Sequence, residues 1–355
     1  MQTIRLAVIA GDGIGPEVVP HGLRVLEAVA QLHGGLRFEC TALPWNCAHY
    51  LQHGRMMPED GLRTLADFDG IFLGAVGHPD VPDHISLWGL LIPIRRTFEQ
   101  YVNLRPARLL RGIASPLAGK EPGAIDFVVV RENCEGEYSS MGGRIHEGTP
   151  HETATQLSYF SRMGIERVAR YALRLAEARG GRLTVATKSN GIMHTMPFWD
   201  QVVREAARDH PAVEVRFAHI DALAAYFVTR PESFDVVVGS NLFGDILTDL
   251  AAAICGSIGI APSANLNPER RHPSLFEPVH GSAPDIAGRG IANPIGAIWT
   301  AKLLLDFFGA SAEAELILPA VEAALQSGVR TPDLGGRAST AELAEAVLTR
   351  LRAAR

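Results

Sequence analysis

The chain has 355 residues, enough for two domains or for one large α/β body with two lobes. Hydrophobic residues make up 47% and charged residues 20%, which excludes an intrinsically disordered or collagen-like chain. The formal net charge of −6 provides no general basic surface for a phosphate backbone, so we expect no nucleic-acid partner.

The cysteines and the apolar segments indicate the compartment. The four cysteines are sparse and form no C-x-x-C pair of the kind found in zinc sites or disulfide frameworks. No stretch reaches the roughly 18 uninterrupted apolar residues of a membrane span. The first residues run into a short predicted strand and not into a signal-peptide core. We therefore expect a cytoplasmic protein with no membrane partner.

Short β-branched runs alternate with longer segments of helical period, which predicts an α/β fold. The predicted strands are residues 4–9, 71–73, 125–130, 183–186 and 235–238. A first helix is expected from Pro16 to the Gly34-Gly35 pair, and a last helix after the capping-box sequence that begins at Ser339. Two segments rich in Gly and Pro, residues 112–123 and 141–150, are predicted to form a hinge and an extended arm.

A glycine-rich turn, Gly11-Asp12-Gly13-Ile14-Gly15, follows the first predicted strand and opens the first helix. Its spacing is G-x-G-x-G, whereas the dinucleotide-binding fingerprint is G-x-G-x-x-G with an acidic residue about 20 positions further on. We therefore favour a tight turn that lines a cleft over the fingerprint.

Positive charge is concentrated in residues 95–111, where five arginines stand against Glu99 alone. The planar fork of donors on arginine matches carboxylates, so convergent arginines suit a small di- or tricarboxylate. Arg105 is expected in a turn because Pro106 follows it. A solvated helix face explains three of the others more simply: Arg96, Arg108 and Arg111.

Arg131, Lys188 and Asn241 follow predicted buried strands, and ligands of open α/β sheets bind beyond such strand ends. Each residue alone is also explained by the return of the chain to solvent. Asp245 and Asp249 are four residues apart on a helix expected to begin near Phe243, so they share a face. Like charges at this spacing repel unless a hard cation such as Mg²⁺ or Mn²⁺ neutralises them. The positive start of the helix explains Asp245 but not Asp249.

Six motifs in order resemble the β-decarboxylating hydroxyacid dehydrogenase family, which includes 3-isopropylmalate, isocitrate, homoisocitrate, tartrate and D-malate dehydrogenases. They are GDGIGPEV from Gly11, NLRP from Asn103, RENCEGEY from Arg131, TKSN from Thr187, SNLFGDILTD from Ser240 and EPVHGSAPDIAG from Glu277. The resemblance implies the isopropylmalate dehydrogenase-like α/β fold, with two subdomains sharing a central sheet. Residues 1–102 and 259–355 would form the cofactor-side subdomain. Residues 103–258 would form an inserted subdomain for dimerisation, metal and substrate.

The resemblance also implies an assembly and roles for individual residues. The protein would be a homodimer or a tetramer, with an arm near residues 138–158 clasping the partner. Arg95, Arg105 and Arg131 would bind the carboxylates of the substrate. Asp245 and Asp249 would bind Mg²⁺ or Mn²⁺ together with Asp221 of a second subunit.

Lys188, also reaching across the dimer, and Tyr138 resemble the catalytic pair of the family. Lys188, directly or through a water, would accept the proton of the 2-hydroxyl, and Tyr138 would protonate C3 after CO₂ leaves. The implied cofactor-binding residues are Ile14, Glu277, His280, Gly281, Ser282, Ala283, Asp285, Ile286 and Asn293. Asp285 favours NAD, because NADP-using relatives have Lys there and Tyr at the next position. Cys134 departs from the family, where Thr or Ser is more common, and a change on the cofactor side is expected.

The substrate is predicted from the helix before Arg95. In isopropylmalate dehydrogenases the position of Trp88 is typically Glu, and an indole would partly fill the pocket for a C3 substituent, although Leu91 and Ile92 still offer an apolar wall. The resemblance is to the D-malate and tartrate branch. We therefore expect NAD-linked oxidative decarboxylation of D-malate to pyruvate and CO₂, with tartrate or 3-isopropylmalate as secondary substrates. Isocitrate is disfavoured because no Ser-x-Asn precedes Arg95. The alternative for Trp88 is that it packs into the lobe and never meets substrate.

Other functions stay open at this stage. One is 3-isopropylmalate dehydrogenase of leucine biosynthesis. A second is a non-catalytic regulatory subunit, which should lack some of the four residues Lys188, Tyr138, Asp245 and Asp249, all of which are present. A third is a nucleotide-responsive binding module, which would bind cofactor without turnover.

Overall fold

The computed structural model describes residues 2–353 and has an α/β fold, as predicted. The chain forms two compact units: Met1–Gln100, Arg105–Ile125 and Ala252–Arg355 make up the first, and Tyr101–Leu104 with Asp126–Ala251 make up the second. The second unit is therefore inserted in the sequence of the first. Residues 105–125 and 252–258 belong to the first unit, whereas the resemblance implies an inserted part of residues 103–258. The assignment of cofactor binding to one unit and of metal and substrate to the other stays a prediction.

The strands in the described residues are β1 (Gln2–Gly11), β2 (Leu36–Ala42), β3 (Gly70–Ala75), β4 (Val102–Arg108), β5 (Asp126–Glu132), β6 (Gly142–Ile145), β7 (Thr153–Gln156), β8 (Arg182–Thr187), β9 (Glu214–His219), β10 (Val236–Gly239), β11 (Pro262–Leu266) and β12 (Ser274–Pro278). In the first unit the strand order is β2-β1-β3-β12-β11. Its pairs are parallel except for β11 with β12. In the second unit the order is β5-β10-β8-β9, and all of these pairs are parallel. The residues of β4 are divided between the two units.

The α-helices in the described residues are α1 (Gly15–His33), α2 (Cys47–His53), α3 (Gly61–Leu65), α4 (Asp83–Ser86), α5 (Ile92–Thr97), α6 (Arg162–Ala178), α7 (Thr195–Ala207), α8 (Ile220–Thr229), α9 (Asn241–Ile254), α10 (Ile295–Phe307), α11 (Ser311–Ala314), α12 (Ile317–Gln326) and α13 (Thr340–Ala353). A π-helical turn, Leu87–Leu91, joins α4 to α5. Among residues 2–353, no helix combines the length and the apolar character that a bilayer crossing requires.

Local signals explain the ends of the first and last helices. α1 has Pro16 in its first turn and stops at Gly34, whose φ of 65° is left-handed and therefore suits glycine. Before α13, the Ser339 amide donates to Glu342 at 2.7 Å and the Glu342 amide donates to the Ser339 hydroxyl at 3.2 Å. These contacts form the predicted capping box.

Three local predictions need correction. Arg105 lies in β4 and not in a turn, because a proline is tolerated in a strand where its missing N–H is not needed. Arg108 ends the same strand and faces Glu322 at 3.5 Å, so it is not on a solvated helix face. Arg131 lies inside β5, one residue before its end. The predicted arm contains the antiparallel pair β6 and β7, whose residues are all exposed.

Candidate active site

Four polar side chains of the second unit meet where β5 ends and α9 begins. The buried Arg131 donates from Nε to Asn241 Oδ1 at 3.1 Å and from Nη2 to the same oxygen at 2.6 Å. Its Nη1 pairs with Asp245 Oδ1, while the Tyr138 hydroxyl donates to Asp245 Oδ2 at 2.8 Å. The backbone of α9 comes close because residue 244 is glycine, where a Cβ would lie 2.6 Å from Arg131 Cβ. The structure thus brings together four residues from two motifs, RENCEGEY and SNLFGDILTD, that are about 100 residues apart in the sequence.

Three glutamates hold the loop of residues 132–138 that carries Tyr138, and none of them is among the site residues predicted from the sequence. Glu132 is fully buried and accepts from the amides of Cys134 at 3.0 Å and Glu135 at 2.8 Å. Burial raises the pKa of Glu132 to about 7 despite these hydrogen bonds.

The other two glutamates accept hydrogen bonds at the starts of two helices. Glu135 accepts from the Ser161 amide at 2.8 Å and from the Ser161 hydroxyl at 2.6 Å, before α6. Glu137 accepts from the Ser240 hydroxyl at 2.9 Å and from the Leu242 amide at 3.0 Å, at the start of α9. An acidic run of this kind has no distinctive spacing, so only the folded chain shows which donor each carboxylate meets.

Lys188 and Asp221 form a separate pair in the second unit. Lys188 follows β8, and its Nζ donates to Asp221 Oδ1, in the first turn of α8, at 2.8 Å. The hydrogen bond from Lys188 holds the pKa of Asp221 below its usual value. Tyr138 belongs to the cluster with Asp245. The two residues of the predicted catalytic pair, Lys188 and Tyr138, therefore have different hydrogen-bond partners.

Asp249 lies one turn after Asp245 on α9 and is exposed. Two carboxylates on one helical face provide the hard oxygen ligands that Mg²⁺ and Mn²⁺ prefer. Within residues 2–353, no group of three or more His, Cys, Asp or Glu side chains is gathered as a metal site. The donor set fits a divalent cation if a further ligand comes from outside this cluster.

In the first unit, the glycine turn packs against the loop that follows β12. The Ile14 amide donates to the Ser282 carbonyl at 2.9 Å. Gly13 has a φ of 56°, and a Cβ there would lie 1.9 Å from the Ser282 carbonyl oxygen. Only glycine permits this approach, which explains the turn without a dinucleotide fingerprint.

A cavity of about 220 Å³ opens beside this contact. Its lining includes five of the predicted cofactor-binding residues: Ile14, His280, Ala283, Ile286 and Asn293. The His280 ring is buried, which lowers its pKa, and Nδ1 lies 3.0 Å from the Gly281 carbonyl oxygen. Nε2 of the same ring is buried and has no hydrogen-bond partner within residues 2–353. An apolar cavity wall with one ring nitrogen available for a hydrogen bond fits a nucleobase.

Asp333 also lines this cavity, and it is not among the residues predicted from the sequence. Its carboxylate accepts from Asn293 Nδ2 at 2.9 Å and from the Ser257 hydroxyl at 2.6 Å. Asp285 is exposed and is followed by the cavity residue Ile286. Glu277 does not line this cavity: it is buried and pairs with Arg95 at 3.0 Å.

The remaining predicted residues are placed as follows. Arg95 and Arg105 are buried in the first unit, whereas Arg131 belongs to the second. Trp88 is half-buried in the π-helical turn, with the Arg96 guanidinium 5.1 Å from its ring centroid. Cys134 is buried in the loop that Glu132 holds.

Residues 5–347 match the isocitrate/isopropylmalate dehydrogenase family. The chain is 57% identical to a probable tartrate dehydrogenase/decarboxylase of Bacillus subtilis, with 99% of each chain covered. It is 56% identical to the decarboxylating D-malate dehydrogenase of Escherichia coli, with 98% of each covered. The crystal structure of isocitrate dehydrogenase from Methylococcus capsulatus matches with a TM-score of 0.86 at 32% identity, covering 98% of this chain and 99% of that one. The resemblance to the D-malate and tartrate branch is confirmed, and the chain belongs to the isocitrate/isopropylmalate dehydrogenase family.

Proposed function

We propose that the protein catalyses NAD-linked, metal-dependent oxidative decarboxylation of D-malate to pyruvate and CO₂, and that it also acts on tartrate. The names of its relatives support a decarboxylating hydroxyacid dehydrogenase. The observation that carries the proposal is the cluster in which Arg131 and Tyr138 both contact Asp245. It combines a cation for a carboxylate, a hydroxyl that can donate a proton and a carboxylate that can bind a metal.

We assign the carboxylates of the substrate to Arg95, Arg105 and Arg131. A guanidinium binds a carboxylate with two parallel hydrogen bonds, which gives geometric selectivity as well as binding energy. Asn241 and Asp245 fix the orientation of Arg131, and Glu277 fixes that of Arg95. These two side chains therefore need little reordering when substrate binds.

Asp245 and Asp249 are assigned to Mg²⁺ or Mn²⁺, with Asp221 of a second copy completing the ligand set. A divalent cation there would lower the pKa of the 2-hydroxyl and favour negative charge on its oxygen. The cavity beside His280 is assigned to the adenosine part of NAD. The bound nicotinamide would accept the hydride from C2.

We assign two proton transfers to side chains of the protein. Lys188 accepts the proton of the 2-hydroxyl as a general base. When the carboxylate on C3 leaves as CO₂, its bonding electrons pass to C3, and Tyr138 donates a proton there. The hydrogen bond from the Tyr138 hydroxyl to Asp245 orients the phenol before this step.

We further propose a homodimer of the cytoplasm. Apolar side chains are exposed on α9 beside Asp245, with Leu242 at 36% and Ile246 at 54%. Ile145 on the arm and Met193 after β8 are exposed as well. Apolar groups of this size next to a polar site favour contact with a second subunit.

A turnover panel tests the proposal: D-malate, the tartrates, 3-isopropylmalate and isocitrate, each with NAD and with NADP, with and without added Mg²⁺ or Mn²⁺. The highest kcat/KM is expected for D-malate with NAD and metal, and a chelator should abolish turnover. A preference for 3-isopropylmalate would support the leucine-biosynthesis alternative instead. Cofactor binding without any turnover would support a binding module, and the absence of both would support a regulatory subunit.

A further inference from the structure

Glu137 and Tyr138 attach the same loop to α9 at two successive points. The Glu137 carboxylate accepts from the Ser240 hydroxyl at 2.9 Å and from the Leu242 amide at 3.0 Å. Ser240 precedes α9 and Leu242 lies in its first turn, while the Tyr138 hydroxyl reaches Asp245 further along the helix.

The start of an α-helix favours a bound carboxylate such as that of Glu137. The first N–H groups of a helix have no partner within it, and the positive end of the helix dipole favours a carboxylate. Each of the two Glu137 oxygens has its own donor, so the carboxylate is held in one orientation. Because Tyr138 is the next residue, the path of its backbone is fixed as well.

The carboxylates of the other two glutamates of the loop do not supply this link, although the Glu135 backbone carbonyl accepts from Asn241 Nδ2 at 3.1 Å. Glu132 is bound to amides of its own loop, and Glu135 to the residue before α6. Among these three carboxylates, Glu137 is the one bound to the helix that carries Asp245.

We propose that Glu137 is a positioning residue, which holds the Tyr138 hydroxyl where it delivers a proton to C3. The inference rests on the proposed function, in which Tyr138 serves decarboxylation and Lys188 serves oxidation. Loosening Glu137 should therefore slow the decarboxylation of oxaloacetate, the keto acid formed from D-malate. The reduction of oxaloacetate by NADH should be largely spared.

The test compares Glu137→Ala, Glu137→Gln and Tyr138→Phe in the full-length enzyme with metal. For Glu137→Ala we expect kcat for oxaloacetate decarboxylation to fall about 10- to 100-fold, since a small misplacement of a reacting group costs this much. The reduction rate should stay within about twofold. Glu137→Gln keeps one acceptor oxygen. Its kcat for oxaloacetate decarboxylation should therefore lie between the values for Glu137→Ala and for the unmodified enzyme. Adding Glu137→Ala to Tyr138→Phe should cost little more, because the phenol that Glu137 positions is already gone.

Asp235→Asn is the matched control. Asp235 is also a carboxylate of the second unit held by more than one donor: Arg179 Nε at 2.9 Å, the Gly180 amide at 2.7 Å and the Arg182 amide at 3.4 Å. A comparable loss of both half-reactions in Glu137→Ala and in Asp235→Asn would show a merely structural role and overturn the proposal. Independent, multiplying losses in the double variant would also overturn it.

Amide hydrogen exchange at Leu242 tests the contact between Glu137 and α9 separately from the proposed catalytic function. Faster exchange in Glu137→Ala than in the unmodified enzyme is expected, and unchanged exchange would overturn the proposed hold on α9. An unmodified enzyme that neither oxidises D-malate or tartrate nor decarboxylates oxaloacetate would reject the proposed function, whatever the exchange data show.

Discussion

Lys188 is the residue on which the oxidation half of the proposed chemistry depends. Its Nζ lies 2.8 Å from Asp221 Oδ1, and Lys188→Met would keep an apolar stem while removing the nitrogen that we assign as the proton acceptor. We expect kcat for D-malate oxidation to fall about 10²- to 10⁴-fold, the usual contribution of a general base. The Kd for NAD, measured by fluorescence titration, should change little.

A second lysine provides the control for this substitution. Lys302 is buried in a paired arrangement with Asp306 and Glu315, each at 2.9 Å, in the first unit. Lys302→Met should therefore lower the free energy of unfolding without a comparable loss of kcat. Undiminished turnover in Lys188→Met would reject the assignment of the base.

Asp285 is the residue that we expect to select the cofactor. A 2′-phosphate close to its carboxylate would bring like charges together, so kcat/KM should favour NAD over NADP by about 100-fold or more. Replacing Asp285 with Lys and Ile286 with Tyr should shift this ratio toward NADP. Asp285→Asn removes the charge without adding a cation and should shift it less. Equal efficiencies with the two cofactors in the unmodified enzyme would contradict the assignment.

At the scale of the elements, local signals were sufficient for five of the twelve strands in residues 2–353 and for the ends of the first and last helices. The predicted strand 183–186 is observed as Arg182–Thr187, and 235–238 as Val236–Gly239, because β-branched runs report burial directly. The two partners of the capping box, Ser339 and Glu342, are only three residues apart in the sequence. Glu137, in contrast, meets its donors 103 and 105 residues away, and nothing local identifies them. Arg105 was misassigned to a turn because its partners in the fold, and not Pro106, determine the conformation there.

The π-helical turn that carries Trp88 is the element expected to determine substrate selectivity. Trp88 lines a cavity with Tyr50, Met57 and Ile85, and it stacks on Arg96. Trp88→Glu removes the bulk of the indole, so the ratio of kcat/KM for 3-isopropylmalate to that for D-malate should rise about tenfold or more. Trp88→Phe keeps an aromatic ring over Arg96 and should change the ratio less. An unchanged ratio after Trp88→Glu would show that the indole only packs within its unit.

The loop of residues 132–138 should make stability depend on pH through Glu132. Its pKa is about 7 in the folded state and near 4.5 in the unfolded chain, so the folded state retains a proton that the unfolded chain loses. The contribution of Glu132 to stability is therefore fully present below about pH 4.5 and is lost as the pH rises through 7. The loss should reach about 3 kcal/mol.

Urea unfolding at pH 5 and pH 8 measures this dependence. Glu132→Gln cannot ionise, so the difference in its free energy of unfolding between the two pH values should be smaller than in the unmodified protein. Glu205→Gln is a control on the surface, where the carboxylate has a lowered pKa and pairs with Arg162. An equal pH dependence in the unmodified protein and in Glu132→Gln would contradict a raised pKa at Glu132.

At the scale of the whole molecule, the separation of the two polar clusters becomes important. Tyr138 and Asp245 contact each other, whereas Lys188 contacts Asp221. The proposed reaction needs both proton-handling residues at one substrate. A homodimer satisfies this requirement if each active site combines Tyr138 and Asp245 of one subunit with Lys188 and Asp221 of the other. The exposed apolar residues Leu242 and Ile246 beside Asp245 favour such an interface.

Site sharing predicts that two inactive variants restore each other. In a heterodimer of Lys188→Met and Asp245→Asn, one site receives both substitutions and the other receives neither, because a two-fold interface exchanges identical surfaces. Heterodimers purified with two different affinity tags should therefore show about half of the wild-type kcat per dimer, whereas each parent homodimer stays inactive. If Lys188 served its own subunit, every site of the heterodimer would carry one substitution, and activity would not exceed that of the parents. Doubly tagged Lys188→Met homodimers control for recovery during purification, and activity in them would invalidate the complementation.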